Sequence, residues 1–331
     1  MRTPVAVDPQ RTKLLNEYKL DRPLTSCHWD PRLRFIWCGA EDHLIHRVDP
    51  ASDKRTSLAG HDSWVRAFAT SADGDTLYSG GYDGRLMFWP AAVDQPEPSR
   101  TIDAHRGWIR AVAVSPDGRS VATCGNDRLV KVWDASSGML IREYSGHTSH
   151  VYNLIYSLDS RQLFTCDLKG VVLAWSLSED TPRSLLTVTQ LHGYDTTFRA
   201  DIGGARCIAL RADGGLLGLG GITKVSNAFA GVGEIIVALV NPADGKLELA
   251  LQSRDKTGGT LWGLAWHPDK FWIGVCGGGG GGWIYFWKGD AAEEFFRLKL
   301  PNDGRGMSLS ADGRQIAVAH ADGRLRTYQL T

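Results

Sequence analysis

The sequence predicts an all-β fold in which seven small antiparallel sheets stack around an axis, and three observations predict it. A segment reading S-P-D-G-R, then an apolar strand, then N-D-R-L-V-K-V-W-D runs from Ser115 to Asp134 and recurs in degraded form along the 331 residues. The last bulky residues of the repeats, Val48, Trp89, Trp133, Trp175, Val240, Trp287 and Tyr328, are spaced 41, 44, 42, 65, 47 and 41 apart. Within each repeat, short β-rich runs are punctuated by Asp-Gly turns, as antiparallel hairpins require. Repetition at this period marks radially stacked sheets, and a closed ring of them accommodates a length that strains one ordinary core.

The third repeat shows the elements. A strand over 109–115 leads to a P-D-G turn, a second strand covers 121–124, a third covers 129–133, and a turn over 135–138 leads to a fourth at 139–144. Four strands per unit and seven units make a seven-bladed β-propeller. The final repeat has only three strands before Leu330. The segment K-L-L-N-E-Y-K-L from Lys13 resembles the fourth strand of the third repeat, M-L-I-R-E-Y-S-G from Met139. Residues 14–20 are therefore expected to complete blade seven, leaving no gap in the ring. The expected organisation is an N-terminal tail over 1–12 and one propeller domain over 13–331.

Composition narrows the function classes. Lys and Arg total 37 and so do Asp and Glu, which disfavours bulk-charge attachment to nucleic acid or anionic lipid. No 18-residue apolar run and no secretory h-region is present, so a cytoplasmic location and no membrane contact are expected. Cys27, Cys38, Cys124, Cys166, Cys207 and Cys276 form no C-x-x-C pair and read as reduced packing thiols. No cofactor or metal is expected. Gly277 to Gly282 contains G-x-G-x-x-G, but a strand follows it where a phosphate-binding helix is needed. His43 and His46 are three apart in an expected strand, so they face opposite ways and do not readily share a metal.

At these residues the chain resembles the WD-repeat β-propeller family, over roughly 13–330. Gly60-His61, Ala104-His105 and Gly146-His147 match the family's Gly-His position, and Trp89, Trp133 and Trp175 match its Trp. Only Trp133-Asp134 keeps the name-giving dipeptide in place. Repeats five and six lack both the His and the turn Asp. The resemblance implies that His61, Ser79, Asp83 and Trp89, and likewise His105, Thr123, Asp127 and Trp133, form buried structural networks, although each set contains the residues of a hydrolase triad. Recurrence in consecutive repeats favours that structural role, and no G-x-S-x-G surrounds Ser79. In the fourth repeat Lys169 takes the turn position and Asp167 lies two residues earlier, so an altered network is expected there. The resemblance also implies a non-catalytic scaffold for a protein or peptide partner, monomeric on its own.

Connectivity indicates where a partner would bind. In an a-b-c-d meander, the b–c turns and d-to-a links share one face. The long link over 189–205, the long b–c loop over 224–233 and the glycine run all fall on that face. Long loops on a rigid scaffold are where function concentrates. Counting back five residues from the Ser of each S-P-D or its equivalent gives Thr25, Arg66, Arg110, Tyr152, Arg206, Trp262 and Arg305, at the channel rim on the same face. Trp64, Trp108 and His150 precede three of them by two residues, and Tyr82 and Asn126 stand at the neighbouring b–c turns. Arg and Trp anchor interfaces, and Arg grips carboxylate or phosphate bidentately. The rim is thus a candidate socket for an acidic or phosphorylated peptide. The alternative is a propeller enzyme or small-ligand sensor at the channel mouth near blades four to six, using His192, Asp195, Arg206 and Asn227.

Overall fold

A computed structural model describes residues 6–225 and 233–331. Seven four-stranded antiparallel sheets form the ring, with no α-helix among the described residues. Blades one to six span 24–58, 65–103, 109–145, 151–187, 205–251 and 260–299. Blade seven joins Gly304–Leu309, Gln315–His320 and Arg324–Gln329 to the N-terminal strand Lys13–Lys19. That last strand runs antiparallel to Arg324–Gln329, from Lys13 opposite Gln329 to Lys19 opposite Arg324. The chain ends therefore close the ring.

Local chemistry sets the turns. In blades two, three, four and seven the Ser of the S-x-D motif donates to the Asp two residues on, Ser115 Oγ to Asp117 Oδ1 at 2.6 Å for example. The same hydroxyl accepts the amide five residues on, as from Ser120 at 3.0 Å, so one Ser pins both ends of the a–b turn. The cores lie between blades, where Trp37, Trp89, Trp175, Trp272 and Trp287 are fully buried. All six cysteines are free and buried within strands.

Several details depart from the sequence reading. The described part of the tail is docked: Val7 N donates to Asp269 Oδ2 at 2.8 Å and Asp8 N to Thr331 O at 2.8 Å, ahead of a 3-10 turn at Pro9–Arg11. His43 is not in a strand. It occupies the b–c turn at φ 68, while His46 is buried and bonded to Asp42 and Ser57, each at 3.0 Å. The link over 189–205 is not irregular, because His192–Asp195 and Ala200–Gly203 pair as a two-stranded ribbon. The glycine run does form the turn between Phe271–Gly277 and Trp283–Trp287. Most of the loop over 224–233, Asn227 included, lies outside the described residues. Among the described residues no helix is long and apolar enough to cross a membrane.

Candidate functional site at the channel mouth

The rim begins in the backbone. In every blade the pairing of strands a and b slips by one residue near its start: between Leu24 and Ser26, Val65 and Ala67, Ile109 and Ala111, Val151 and Asn153, Ala205 and Cys207, Leu261 and Gly263, and Gly304 and Gly306. The residue left unpaired at each slip is Thr25, Arg66, Arg110, Tyr152, Arg206, Trp262 or Arg305. A β-bulge bends its strand and re-aims the extra side chain. The seven positions found by counting from the a–b turn are thus seven bulges around one axis.

Six of these side chains stay partly accessible, and Thr25 does not. Thr25 is buried and its hydroxyl donates to the Val65 carbonyl, closing the seam between blades one and two. Five of the others alternate cation and ring. Arg66 lies 4.3 Å from the Trp262 ring centre, Arg206 lies 5.6 Å from Trp262 and 4.4 Å from Tyr152, and Arg110 lies 4.4 Å from Tyr152. Each such contact contributes about 0.5–2 kcal/mol, more where water is excluded. Arg66 also crosses the mouth from blade two, reaching the Arg305 carbonyl in blade seven at 3.3 Å. Burial is the main cause that pushes its pKa down to about 10; Tyr82 opposes it, and the neighbouring Arg206, Arg110 and Arg305 add to the fall.

An aromatic ridge runs outward from this belt. Tyr82 stacks on Trp108 with ring centres 4.0 Å apart and planes within 1°, and Trp64 leans on Tyr82 at 6.2 Å. Trp64 and Trp108 remain 40% and 41% exposed, which is unusual for residues that normally anchor a core. Arg110 lies 4.6 Å from the Trp108 ring and donates from Nε to Asn126 Oδ1 at 2.8 Å. His150 stands at the edge, its pKa lowered by burial and then by Arg110 and Arg128, so it is neutral at pH 7.

The structure therefore brings together Arg66, Arg110, Tyr152, Arg206 and Trp262, with Tyr82, Trp108 and Asn126 beside them and Trp64 at the far end of the ridge. Arg305 is engaged differently, with its guanidinium 2.6 Å from Glu41 across the seam to blade one. Sequence reading missed Glu41, because a contact 264 residues apart in the chain carries no local signal.

The two triad-like sets have matching geometry. Trp89 Nε1 donates to Ser79 Oγ at 2.9 Å, Ser79 Oγ lies 2.8 Å from His61 Nε2, and His61 Nδ1 lies 3.0 Å from Asp83. Trp133, Thr123, His105 and Asp127 repeat this at 2.9, 2.8 and 2.9 Å. Both histidine side chains are fully buried. In blade four Asp167, from its earlier position, still reaches His147 at 3.2 Å, and Trp175 still donates to Thr165 at 2.9 Å. Asp167 holds its own turn by accepting the amides of Lys169 and Val171. The network survives with a different Asp, itself fully buried.

These strands and networks coincide with a recognised repeat. Residues 52–90, 96–134 and 138–176 each match the family model for the WD domain, G-beta repeat. The chain carries three WD repeats within a seven-bladed β-propeller. Each matched stretch runs from the outer strand of one blade through strand c of the next, so the repeats interlock the blades. No curated protein gives a significant match. WD-repeat propellers generally serve as protein-interaction scaffolds and are typically non-catalytic.

The residues of the enzyme or sensor reading have other engagements in this WD-repeat ring. His192 bonds Asp201 across the ribbon at 2.8 Å, and Lys169 lies 3.4 Å from the same carboxylate. Asp195 accepts the amides of Thr197 and Phe198 in the ribbon's turn, and Arg206 is sandwiched between Tyr152 and Trp262.

Proposed function

We propose that this WD-repeat propeller is a non-catalytic scaffold that captures a protein or peptide partner on its b–c/d–a face, with an acidic or phosphorylated segment seated at the channel mouth. One observation carries the reading: six bulge-borne side chains, four of them arginines, open on a single mouth beside an exposed Trp64–Tyr82–Trp108 ridge. Trp, Tyr and Arg dominate interface hot spots, because rigid rings bury large area and guanidiniums bind anions directionally. A bulge-borne rim on a closed ring is also preorganised, which lowers the ordering cost of binding.

The test is charge reversal at the mouth. The Arg66→Glu/Arg110→Glu double variant is expected to lose partners that the wild type captures from lysate of its source cells, while keeping the same far-ultraviolet circular dichroism. An unchanged set of captured proteins would move the binding surface elsewhere.

A further inference from the structure

Three guanidiniums, those of Arg66, Arg110 and Arg206, surround one cavity of about 60 Å³ completed by Tyr82, Tyr152 and Trp262. Arg305 has Glu41 as its counter-ion, but among the described residues no carboxylate lies within ion-pair distance of the other three. The sequence over 226–232 contains no Asp or Glu that could supply one. Among the described residues most N–H donors of the three go unused: Arg66 gives one to the Arg305 carbonyl, Arg110 gives Nε to Asn126, and Arg206 Nε is buried without a partner. Ring faces offset part of the positive charge but accept none of these in-plane donors. Three like charges at one mouth with unused donors constitute an unfilled demand for an anion.

We propose that this cavity is a phosphate seat, in which Arg66, Arg110 and Arg206 hold the phosphate monoester of a phosphoserine or phosphothreonine carried by the captured partner. This rests on the face assigned above and names the chemistry it selects. A carboxylate brings one negative charge and two coplanar oxygens. A phosphate monoester brings nearly two charges and three oxygens, matching guanidiniums that converge from blades two, three and five. The cavity is large enough to hold ordered water, which one phosphate group would displace. The aromatic ridge then lies where residues flanking the phosphorylated side chain would rest.

The experiment is calorimetric titration of the full chain at constant ionic strength with inorganic phosphate, N-acetyl-O-phosphoserine N-methylamide and acetate. Both phosphate compounds should bind saturably at one site with the ester at least as tight, and acetate should not compete. Arg110→Gln and Arg206→Gln should each weaken both phosphates about tenfold or more, the expected effect of losing a charge-assisted hydrogen bond. Absence of saturable phosphate binding to the wild type overturns the seat whatever the variants do, and so does unaltered affinity in a folded Arg206→Gln protein. Binding of free phosphate with exclusion of the ester overturns the partner as its source. If partner capture is lost in the double Glu variant while wild type ignores phosphate, the seat falls and the face remains. Phosphate binding with capture indifferent to the rim would leave an anion site and overturn the captured partner as the source of its phosphate.

Discussion

At the residue scale, the buried His-Asp pairs separate stability from catalysis. Burial alone would raise the Asp127 carboxyl, but His105 and the amides of Leu129 and Arg106 outweigh it and hold the pKa below the usual carboxylate range. Removing either partner leaves the other buried with an empty bond, so His105→Ala or Asp127→Ala should each cost about 1–3 kcal/mol in denaturant unfolding. Unchanged midpoints in both would undo the structural assignment. His320 makes a second prediction. It is fully buried, its Nδ1 bonds the Asn302 carbonyl at 3.0 Å, and its Nε2 has no partner among the described residues. Burial first and Arg326 next push its pKa down to about 4, against the Asn302 bond and the charges of Asp322 and Glu17. Between the unfolded value near 6.5 and that folded value, the unfolded chain binds the proton and the folded one does not. Stability must therefore fall as pH drops through this window, by up to about 3 kcal/mol from this residue. His320→Gln should flatten that part of a pH series of unfolding midpoints, and parallel profiles would exonerate His320.

At the element scale, bulges and glycines do what strand patterning cannot express. The rim positions were legible because Ser-x-Asp turns supply fixed points to count from. The bulges were not, since a one-residue slip in pairing is a property of two backbones. Likewise the run Gly277 to Gly282 looked like a failed nucleotide motif, whereas its structure is one of close backbone approach. Gly280 N donates to Gly258 O at 2.8 Å, and Gly259 N donates to Gly233 O at 2.8 Å, stitching the loops of blades five and six together. A Cβ on Gly282 would sit 2.1 Å from the Asn302 carbonyl oxygen, while one on Gly279 would meet nothing within 4 Å among the described residues. Gly282→Ala should thus lower stability by about 1–3 kcal/mol and Gly279→Ala should stay within about 0.5 kcal/mol, as thermal melts of the two variants can check. Equal effects would mean that the run is a spacer of no steric consequence. The ribbon His192–Asp195/Ala200–Gly203 was missed for a different reason: its Gly, Thr and Asp residues read as a loop, and pairing across the link overrides weak local propensity.

At the scale of the whole molecule, stability depends on how the ring closes. Closure was legible because the two outer strands share a pattern, and their tyrosines, Tyr18 and Tyr144, are buried to 4% and 2% exposure. The charge lock on it was not, since its partners lie at opposite chain ends. Glu17 sits 2.9 Å from Arg324 and 2.7 Å from Arg326, and Arg326, 3% exposed, also reaches Asp322 at 2.8 Å. Deleting residues 1–20 removes the outer strand of blade seven and uncovers a row of unpaired backbone groups along Arg324–Gln329, a template for pairing with another chain. The truncated protein should melt roughly 5 °C or more lower and should self-associate in light scattering, where the intact chain does not. Glu17→Gln separates the two contributions, because it keeps the strand and loses only the ion bridge. It should cost about 1–2 kcal/mol without association, since Arg326 retains Asp322. If the truncated chain instead melts as the intact one does and stays monomeric, the N-terminal strand is an ornament and the ring is held by its blade-to-blade cores alone.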